Sequence, residues 1–164
     1  MQFAIILFWC CAAIVLYTYL GYGIILGLLV KLKKMCSAPQ KAESITSWPD
    51  VTFVICAYNE EKVVDEKMEN CNQLDYPSDK LHILWVTDGS NDRTNEFLAK
   101  YPDAEVLFTP DRRGKTAALN HAATVIHTPY TIYTDANTMV NSLAVKEIVT
   151  CFLGDSKVGC VAGD

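Results

Sequence analysis

Short apolar runs and amphipathic stretches alternate along the chain from residue 51 onward. The runs are nearly continuous in apolar residues, which is typical of strands buried in a parallel sheet. They predict strands at residues 51–57, 81–86, 104–108, 130–134 and 158–163. Between the strands, apolar side chains recur at helical spacing and predict four helices. Their stripes are Val64, Met68, Cys71 and Leu74; Thr94, Phe97, Leu98 and Tyr101; Ala118, Leu119, Ala122, Val125 and Ile126; and Val145, Ile148, Val149 and Phe152.

This alternation of strand and helix sets the expected fold class. It predicts an α/β fold in which a mainly parallel sheet carries helices on both faces. The first helix is expected over residues 60–74, and Asn141 or Ser142 is expected to cap the last one.

The N-terminal segment has a different pattern. The run from Phe3 to Val30 contains no charged residue, and it exceeds the roughly 20 residues that a helix needs to cross a bilayer. A cleaved signal peptide would need a basic segment before a shorter apolar run, and no Lys or Arg precedes residue 31. We therefore predict a transmembrane helix at residues 3–30, a juxtamembrane linker at 31–49 and a folded domain at 50–164.

Charge and cysteine content narrow the function classes. The net charge of −5 argues against nucleic acid as a partner. The seven cysteines are scattered and form no Cys-x-x-Cys pair, so the sequence indicates neither a structural zinc site nor a disulfide framework.

Polar clusters follow four of the predicted strands. Because the carboxyl ends of parallel strands meet at one edge, which is where open α/β sheets bind ligands, the clusters predict one shared site. They are residues 58–61, 88–92, 111–115 and 135–137.

The triplet Gly114-Lys115-Thr116 raises the question of a P-loop ATPase or GTPase. That motif needs a glycine where this chain has Thr109, and Pro110 interrupts the cradle of backbone amides. The dinucleotide fingerprint Gly-x-Gly-x-x-Gly is also missing from the sequence. Neither a P-loop enzyme nor a nicotinamide or flavin enzyme is expected.

The predicted site nevertheless mixes both signs of charge. Carboxylates repel a diphosphate unless a divalent cation lies between them, and Mg²⁺ or Mn²⁺ prefers oxygen ligands. A metal-bound nucleotide therefore suits the site better than a bare anion, although Arg112 and Arg113 could equally face solvent. The acids are Glu60, Asp88 and Asp135, and the bases are Arg112, Arg113 and Lys115.

The stretches VTFVICAYNEE, LWVTDGSNDRT, RRGKTAALNHA and YTDANTMV resemble, in order and spacing, the family 2 glycosyltransferases. They are most similar to the membrane-bound synthases of the cellulose, hyaluronan and poly-N-acetylglucosamine type, over residues 48–164. The resemblance implies a GT-A fold, a nucleotide-sugar donor that is usually a UDP-sugar, a glycan acceptor and a membrane location.

The resemblance also implies roles for individual residues. Tyr58 and Glu60 match positions that contact the nucleoside, and Asp88 matches an acid that hydrogen-bonds the base. Lys115 matches a lysine near the donor diphosphate. By the same resemblance, these four residues are expected to bind the nucleotide sugar.

Asp135 and Asn137 match the Asp-x-Asp motif that holds Mg²⁺ or Mn²⁺, and Asp135 is also expected to contact the donor. Asn137 departs from the motif, because its amide offers an oxygen to the metal but no charge. The expected consequence is a weaker metal site.

The sequence leaves the catalytic residue unassigned. The family's later acidic motif and its Gln-x-x-Arg-Trp motif have no counterpart in these 164 residues. Two hypotheses follow: a membrane-anchored glycosyltransferase, or a catalytically incomplete, membrane-tethered nucleotide-sugar-binding fragment. The second predicts donor binding without sugar transfer.

Lysines at one end of the apolar run predict the topology of the chain. Lys31, Lys33 and Lys34 follow the run and no charge precedes it, so the positive-inside rule places residue 31 onward in the cytosol. A fluorescent reporter that matures only in the cytosol, fused after Asp164, should be bright. The same reporter fused before residue 1 is the control and should be dark, and the reverse pattern would contradict the topology.

Overall fold

The computed structural model describes residues 2–36 and 47–163. The chain divides into two compact units, Met1–Lys41 and Ala42–Asp164. In the first unit, helix α1 (Gln2–Leu16), a π-helical turn (Tyr17–Gly21) and helix α2 (Tyr22–Cys36) follow one another without a break. Residues 2–32 form a helix of 31 residues that contains an 18-residue stretch with a mean hydropathy of 2.3, and the helix is long and apolar enough to cross a membrane.

The second unit is built on one sheet of four parallel strands. They are β1 (Val51–Ala57), β2 (Leu81–Asp88), β3 (Glu105–Thr109) and β4 (Tyr130–Asp135), in the spatial order β3-β2-β1-β4. Strand β1 pairs on both sides and is buried along nearly all its length, which explains its continuous run of apolar residues.

Helices cover both faces of this sheet, as the sequence predicts. They are α3 (Val64–Asn72), α4 (Thr94–Leu98), α5 (Lys115–Val125) and α6 (Ala144–Gly154). Apolar side chains of α3, α4 and α6 pack on one face, around Phe53 and Trp85. Helix α5 packs on the other face, where Ala118 and Ala122 meet Val54. The small alanine side chains bring α5 close to the sheet.

The predicted fifth strand at residues 158–163 is wrong, because residues 158–163 have no regular structure. Val161, Ala162 and Gly163 lie beside β4 along one groove but form no ladder with it. Two glycines in six residues weaken this segment as a strand, since glycine loses the most conformational freedom and contributes no side chain to packing.

Two helix boundaries also differ from the sequence prediction. The first helix begins at Val64 and not at residue 60, because the backbone N–H groups of residues 59–61 donate to side chains of residues 90–94, which follow β2. The last helix begins at Ala144, directly after Leu143. Neither Asn141 nor Ser142 is its cap, although the Asn141 side chain accepts a hydrogen bond from the Leu143 N–H at 2.9 Å.

The chain before β1 is described only in part. Helix α2 continues to Cys36, and residues 37–46 of the predicted linker lie outside the described residues. Trp48 packs against the Tyr76 ring at 5.4 Å between centroids, and the Tyr76 hydroxyl donates to the Pro49 carbonyl at 2.7 Å. Trp48 and Pro49 therefore pack with the folded unit.

The difference in burial between two phenylalanines on the same face of the sheet predicts different losses of stability when each is replaced by alanine. Phe53 is 1% exposed, whereas Phe108 on the outer strand is 52% exposed. We expect Phe53→Ala to lower the free energy of unfolding by about 3–5 kcal/mol and Phe108→Ala by about 0.5 kcal/mol or less. Urea denaturation of the full chain in detergent measures both, and equal costs would contradict the assigned core.

Candidate functional site

The four polar clusters meet at the carboxyl edge of the sheet, as the strand pattern predicts. They line one open pocket of about 250 Å³ on the α5 side. All six residues that the sequence singles out for donor or metal binding lie around it. The lining residues are Cys56, Ala57, Tyr58, Glu60, Val86, Asp88, Arg112, Gly114, Lys115, Ala118, Asp135 and Asn137.

The carboxylate of Asp88 anchors the segment that leads into α5. Its Oδ1 accepts a hydrogen bond from the Arg113 backbone N–H at 2.8 Å, and its Oδ2 accepts one from the Gly114 N–H at 2.6 Å. Asp88 is only 6% exposed, so these bonds are shielded from water. They fix where α5 begins and therefore where Lys115, its first residue, is placed.

A glycine allows this segment to come so close to β2. Gly89 has φ +68°, and its N–H donates to the Thr109 carbonyl at 2.9 Å. A Cβ atom on residue 89 would lie 2.5 Å from the Arg112 backbone nitrogen. Both the backbone conformation and the close approach therefore require glycine.

Tyr58 and Arg112 form a stacked pair at one side of the pocket. The Arg112 guanidinium lies 3.9 Å from the centre of the Tyr58 ring, a cation–π contact. Arg112 is therefore part of the site, whereas Arg113 contributes its backbone N–H to Asp88. The Arg112 side chain is exposed as well as lining the pocket, so a functional role for it stays a prediction.

A network of side-chain and backbone groups joins the loops after β1 and β2. Asn59, at φ 56°, accepts from the Asn91 N–H at 2.9 Å. The Glu60 N–H donates to the Thr94 hydroxyl at 2.8 Å, and the Glu61 N–H donates to Asp92 at 3.1 Å. Burial alone would raise the pKa of Asp92, but hydrogen bonds from Thr94 and Glu61 hold that pKa below its ordinary value.

The sequence analysis assigned no individual role to Asn59 or Asp92 and placed Thr94 only on a helix stripe, whereas this network uses all three. A signal was available, because all three lie inside the two motifs that carry Tyr58 and Asp88. Polar residues of one motif bind the backbone of the other, so the two motifs form one structural unit.

The main charge pair of the pocket joins α5 to β4. Lys115 Nζ donates to Asp135 Oδ1 at 2.6 Å, and both side chains are about half exposed. This hydrogen bond raises the pKa of Lys115. The pair shows that an ammonium and a carboxylate face the same space, where a diphosphate and a metal ion could each find an opposite charge.

The residues of the pocket suit a divalent cation that is bound jointly by the protein and by the phosphates of a ligand. Within residues 2–36 and 47–163 there is no cluster of three or more His, Cys, Asp or Glu residues. Asp135 and Asn137 offer one carboxylate and one amide oxygen on the same pocket wall. Mg²⁺ commonly uses one or two carboxylates plus substrate phosphates, and this donor set suits that arrangement.

The position of Gly89 generates a stability prediction. Gly89→Ala should lower the free energy of unfolding by about 1–3 kcal/mol, because it strains the backbone and displaces the Arg112 segment. Gly159→Ala is the matched control, since nothing lies within 4 Å of a Cβ there. It should change stability by about 0.5 kcal/mol or less. Urea denaturation compares the two variants, and an unaffected Gly89→Ala would contradict the tight approach.

Comparison with known proteins agrees with this architecture. The family model described as "Glycosyl transferase family 2" matches residues 52–162. The poly-beta-1,6-N-acetyl-D-glucosamine synthase of Staphylococcus aureus strain COL is 31% identical over 117 residues, which cover 70% of this chain and 28% of that protein. The matched segment covers 31% of the length of one curated relative and 28% of another. The chain thus spans about three tenths of the length of the curated relatives it matches.

Solved structures give the same result at the level of the fold. The mannosyltransferase PcManGT from Pyrobaculum calidifontis, solved with GDP-Man and Mn²⁺, superposes with a TM-score of 0.65 at 27% identity, covering 84% of this chain and 42% of that one. S. aureus TarS 1–349, solved with UDP-GlcNAc, superposes with a TM-score of 0.56 at 19% identity, covering 63% and 31%. The predicted GT-A type of fold is confirmed, and the chain belongs to glycosyl transferase family 2.

Proposed function

We propose that this chain forms the donor-binding part of a membrane-anchored glycosyltransferase that passes a sugar from a UDP-sugar to a glycan acceptor. The observation that carries the proposal is the convergence of the stacked Tyr58–Arg112 pair, the Lys115 ammonium and the Asp135 carboxylate in one pocket at the carboxyl edge of the sheet. Family membership and the poly-N-acetylglucosamine synthase among its relatives support the substrate class.

The nucleoside is proposed to bind at the Tyr58 side of the pocket. The Tyr58 ring presents an aromatic surface, and Arg112 keeps that ring in place. Glu60 lies on the same rim. Asp88 has both carboxylate oxygens bonded to backbone amides, so it supports this wall from behind while its remaining lone pairs stay available to a base N–H.

The diphosphate is proposed to bind beside Lys115. Helix α5 has 11 residues and begins in the pocket after Gly114, so its unpaired N–H groups and Lys115 place positive charge there. Asp135 and Asn137 would hold Mg²⁺ or Mn²⁺ against the diphosphate. When bound, such an ion neutralises the charge that develops on the departing nucleotide.

The transfer itself is a displacement at the anomeric carbon. An acceptor hydroxyl forms a new C–O bond there, the bond to the diphosphate oxygen breaks, and UDP leaves with that electron pair. The hydroxyl proton passes to a general base. The residues of the pocket described above are placed to bind and orient the donor, and the base is left unassigned.

The membrane anchor is proposed to be helix 2–32. Its length, its hydropathy and the absence of burial support this role. With residues 31 onward in the cytosol, the pocket would have direct access to cytosolic nucleotide sugars.

Donor binding tests the proposal directly. UDP with Mn²⁺ at a hundredfold excess over Kd should stabilise the full chain in detergent by about 2.7 kcal/mol. Asp135→Ala should abolish this thermal shift, because it removes the only carboxylate proposed for the metal. Asp103→Ala, an exposed acid in the turn before β3, is the matched control and should keep the shift.

Chelation and other nucleotides complete that experiment. EDTA should remove the shift if a metal bridges Asp135 to the diphosphate. A larger thermal shift with GDP than with UDP would indicate a GDP-sugar donor in place of a UDP-sugar. A shift with ADP equal to that with UDP would contradict a nucleotide-sugar site of this kind.

A further inference from the structure

We infer that Lys67, a buried lysine of α3, is a positioning residue for the metal ligands Asp135 and Asn137. The inference rests on the proposed function and goes beyond the residues that line the pocket. It concerns the turn of residues 135–140, which carries both ligands and is held from behind by α3.

Lys67 is fully buried and its ammonium has a specific use. The residue is 0% exposed, and Nζ donates a hydrogen bond to the backbone carbonyl of Thr138. The ammonium also lies 5.4 Å from the centre of the Phe53 ring. Among the described residues, no carboxylate forms an ion pair with Lys67, so the Thr138 carbonyl is its polar partner there.

Asn70 adds a second attachment one helical turn later on the same side of α3. Its side-chain Nδ2 donates to the Val140 carbonyl at 2.8 Å, and its Oδ1 accepts from the Val140 N–H at 3.0 Å. Lys67 and Asn70 together hold the backbone of the turn at Thr138 and Val140.

The other end of the turn is fixed by the sheet. The Ala136 N–H donates to the Cys56 carbonyl at 3.2 Å, and Ala136 is 1% exposed. The Thr138 N–H donates to the Asp135 carbonyl at 3.2 Å. Asn137 therefore sits between two fixed neighbours, Ala136 on the strand side and Thr138 on the α3 side.

The cost of burying Lys67 argues against simple packing. Taking an ammonium out of water is expensive, and an apolar side chain of similar length would fill the same space without that cost. Burial also lowers the pKa of Lys67, because removing the ammonium from water disfavours its charged form. The ammonium, unlike an apolar side chain, donates a hydrogen bond to the backbone carbonyl of Thr138, the residue that follows Asn137.

The variant Lys67→Met tests this role, because it keeps the length of the side chain and removes the donor. Groups that orient metal ligands typically contribute about 10–100-fold in metal affinity. We expect Mn²⁺ affinity at saturating UDP, measured by electron paramagnetic resonance, to fall by that factor. UDP affinity at saturating Mn²⁺ should stay within about threefold, since the pocket walls around Tyr58 and Lys115 are unchanged.

Lys62→Met is the matched control, because Lys62 is an exposed lysine close to the start of the same helix. It should leave both affinities unchanged. A Lys67→Met chain that weakens Mn²⁺ and UDP equally would show general loss of structure and would overturn the positioning role. Unchanged Mn²⁺ affinity would overturn it as well.

Amide hydrogen exchange tests the same attachment without any ligand. In Lys67→Met, the amides of residues 136–140 should exchange about tenfold faster or more, while those of β1 keep their protection. Asn70→Ala, at a half-buried position, should act in the same direction and serves if Lys67→Met does not fold. Unaltered exchange at residues 136–140 in a folded variant would overturn the attachment.

These two measurements also separate the inference from the proposed function. A wild-type chain that binds no UDP with Mn²⁺ overturns the proposed function and, with it, any role of Lys67 in metal binding. Exchange at residues 136–140 then decides by itself whether Lys67 holds the turn.

Discussion

Two hydrogen bonds from backbone amides to one buried carboxylate organise the site. Asp88 ends β2, and the amides it accepts belong to Arg113 and Gly114, immediately before α5. Through these bonds, the end of a strand determines the start of a helix. The stacking of Arg112 on Tyr58 and the meeting of Lys115 with Asp135 both depend on the position of this segment.

The charge pair in the pocket is strong enough to align side chains and weak enough to be rearranged. Lys115 and Asp135 are 61% and 49% exposed, and an ion pair at that exposure contributes about 1 kcal/mol or less. In the proposed function, a diphosphate and a divalent cation would offer each group a more highly charged partner. Their binding would then separate Lys115 from Asp135 at little cost. The buried contacts of Asp88 and Lys67 lie behind the pocket and can remain in place.

Much of the fold follows from local pattern. Strand β1 occupies the predicted residues because it is buried on both faces and its apolar run is unbroken. Ligands bind at the carboxyl edge of parallel strands, and this rule predicted a single site there. All six predicted site residues line one pocket at that edge. The segment at 158–163 shows the limit of this reasoning, since an apolar composition does not provide a neighbouring strand with which to pair.

The long-range contacts were harder to predict, because they join side chains to the backbone. Nothing in the residue types of 113 and 114 indicates that their amides meet an acid 25 and 26 positions earlier. Lys67 left a clearer signal. It lies three residues after Val64 and four before Cys71, which places a lysine on the apolar stripe of its helix. A charge at such a position has to find a polar partner inside the protein.

The π-helical turn at residues 17–21 changes the geometry of the N-terminal helix. A turn closed by i→i+5 bonds contains one more residue than an α-helical turn, and each residue of an α-helix advances the direction of its side chain by about 100°. A row of side chains that repeats every 3.6 residues along one side of α1 therefore does not line up with a row at the same spacing in α2. A lipid-facing or protein-facing surface traced along residues 2–16 changes direction at Tyr17–Gly21 and follows a different set of positions in residues 22–32.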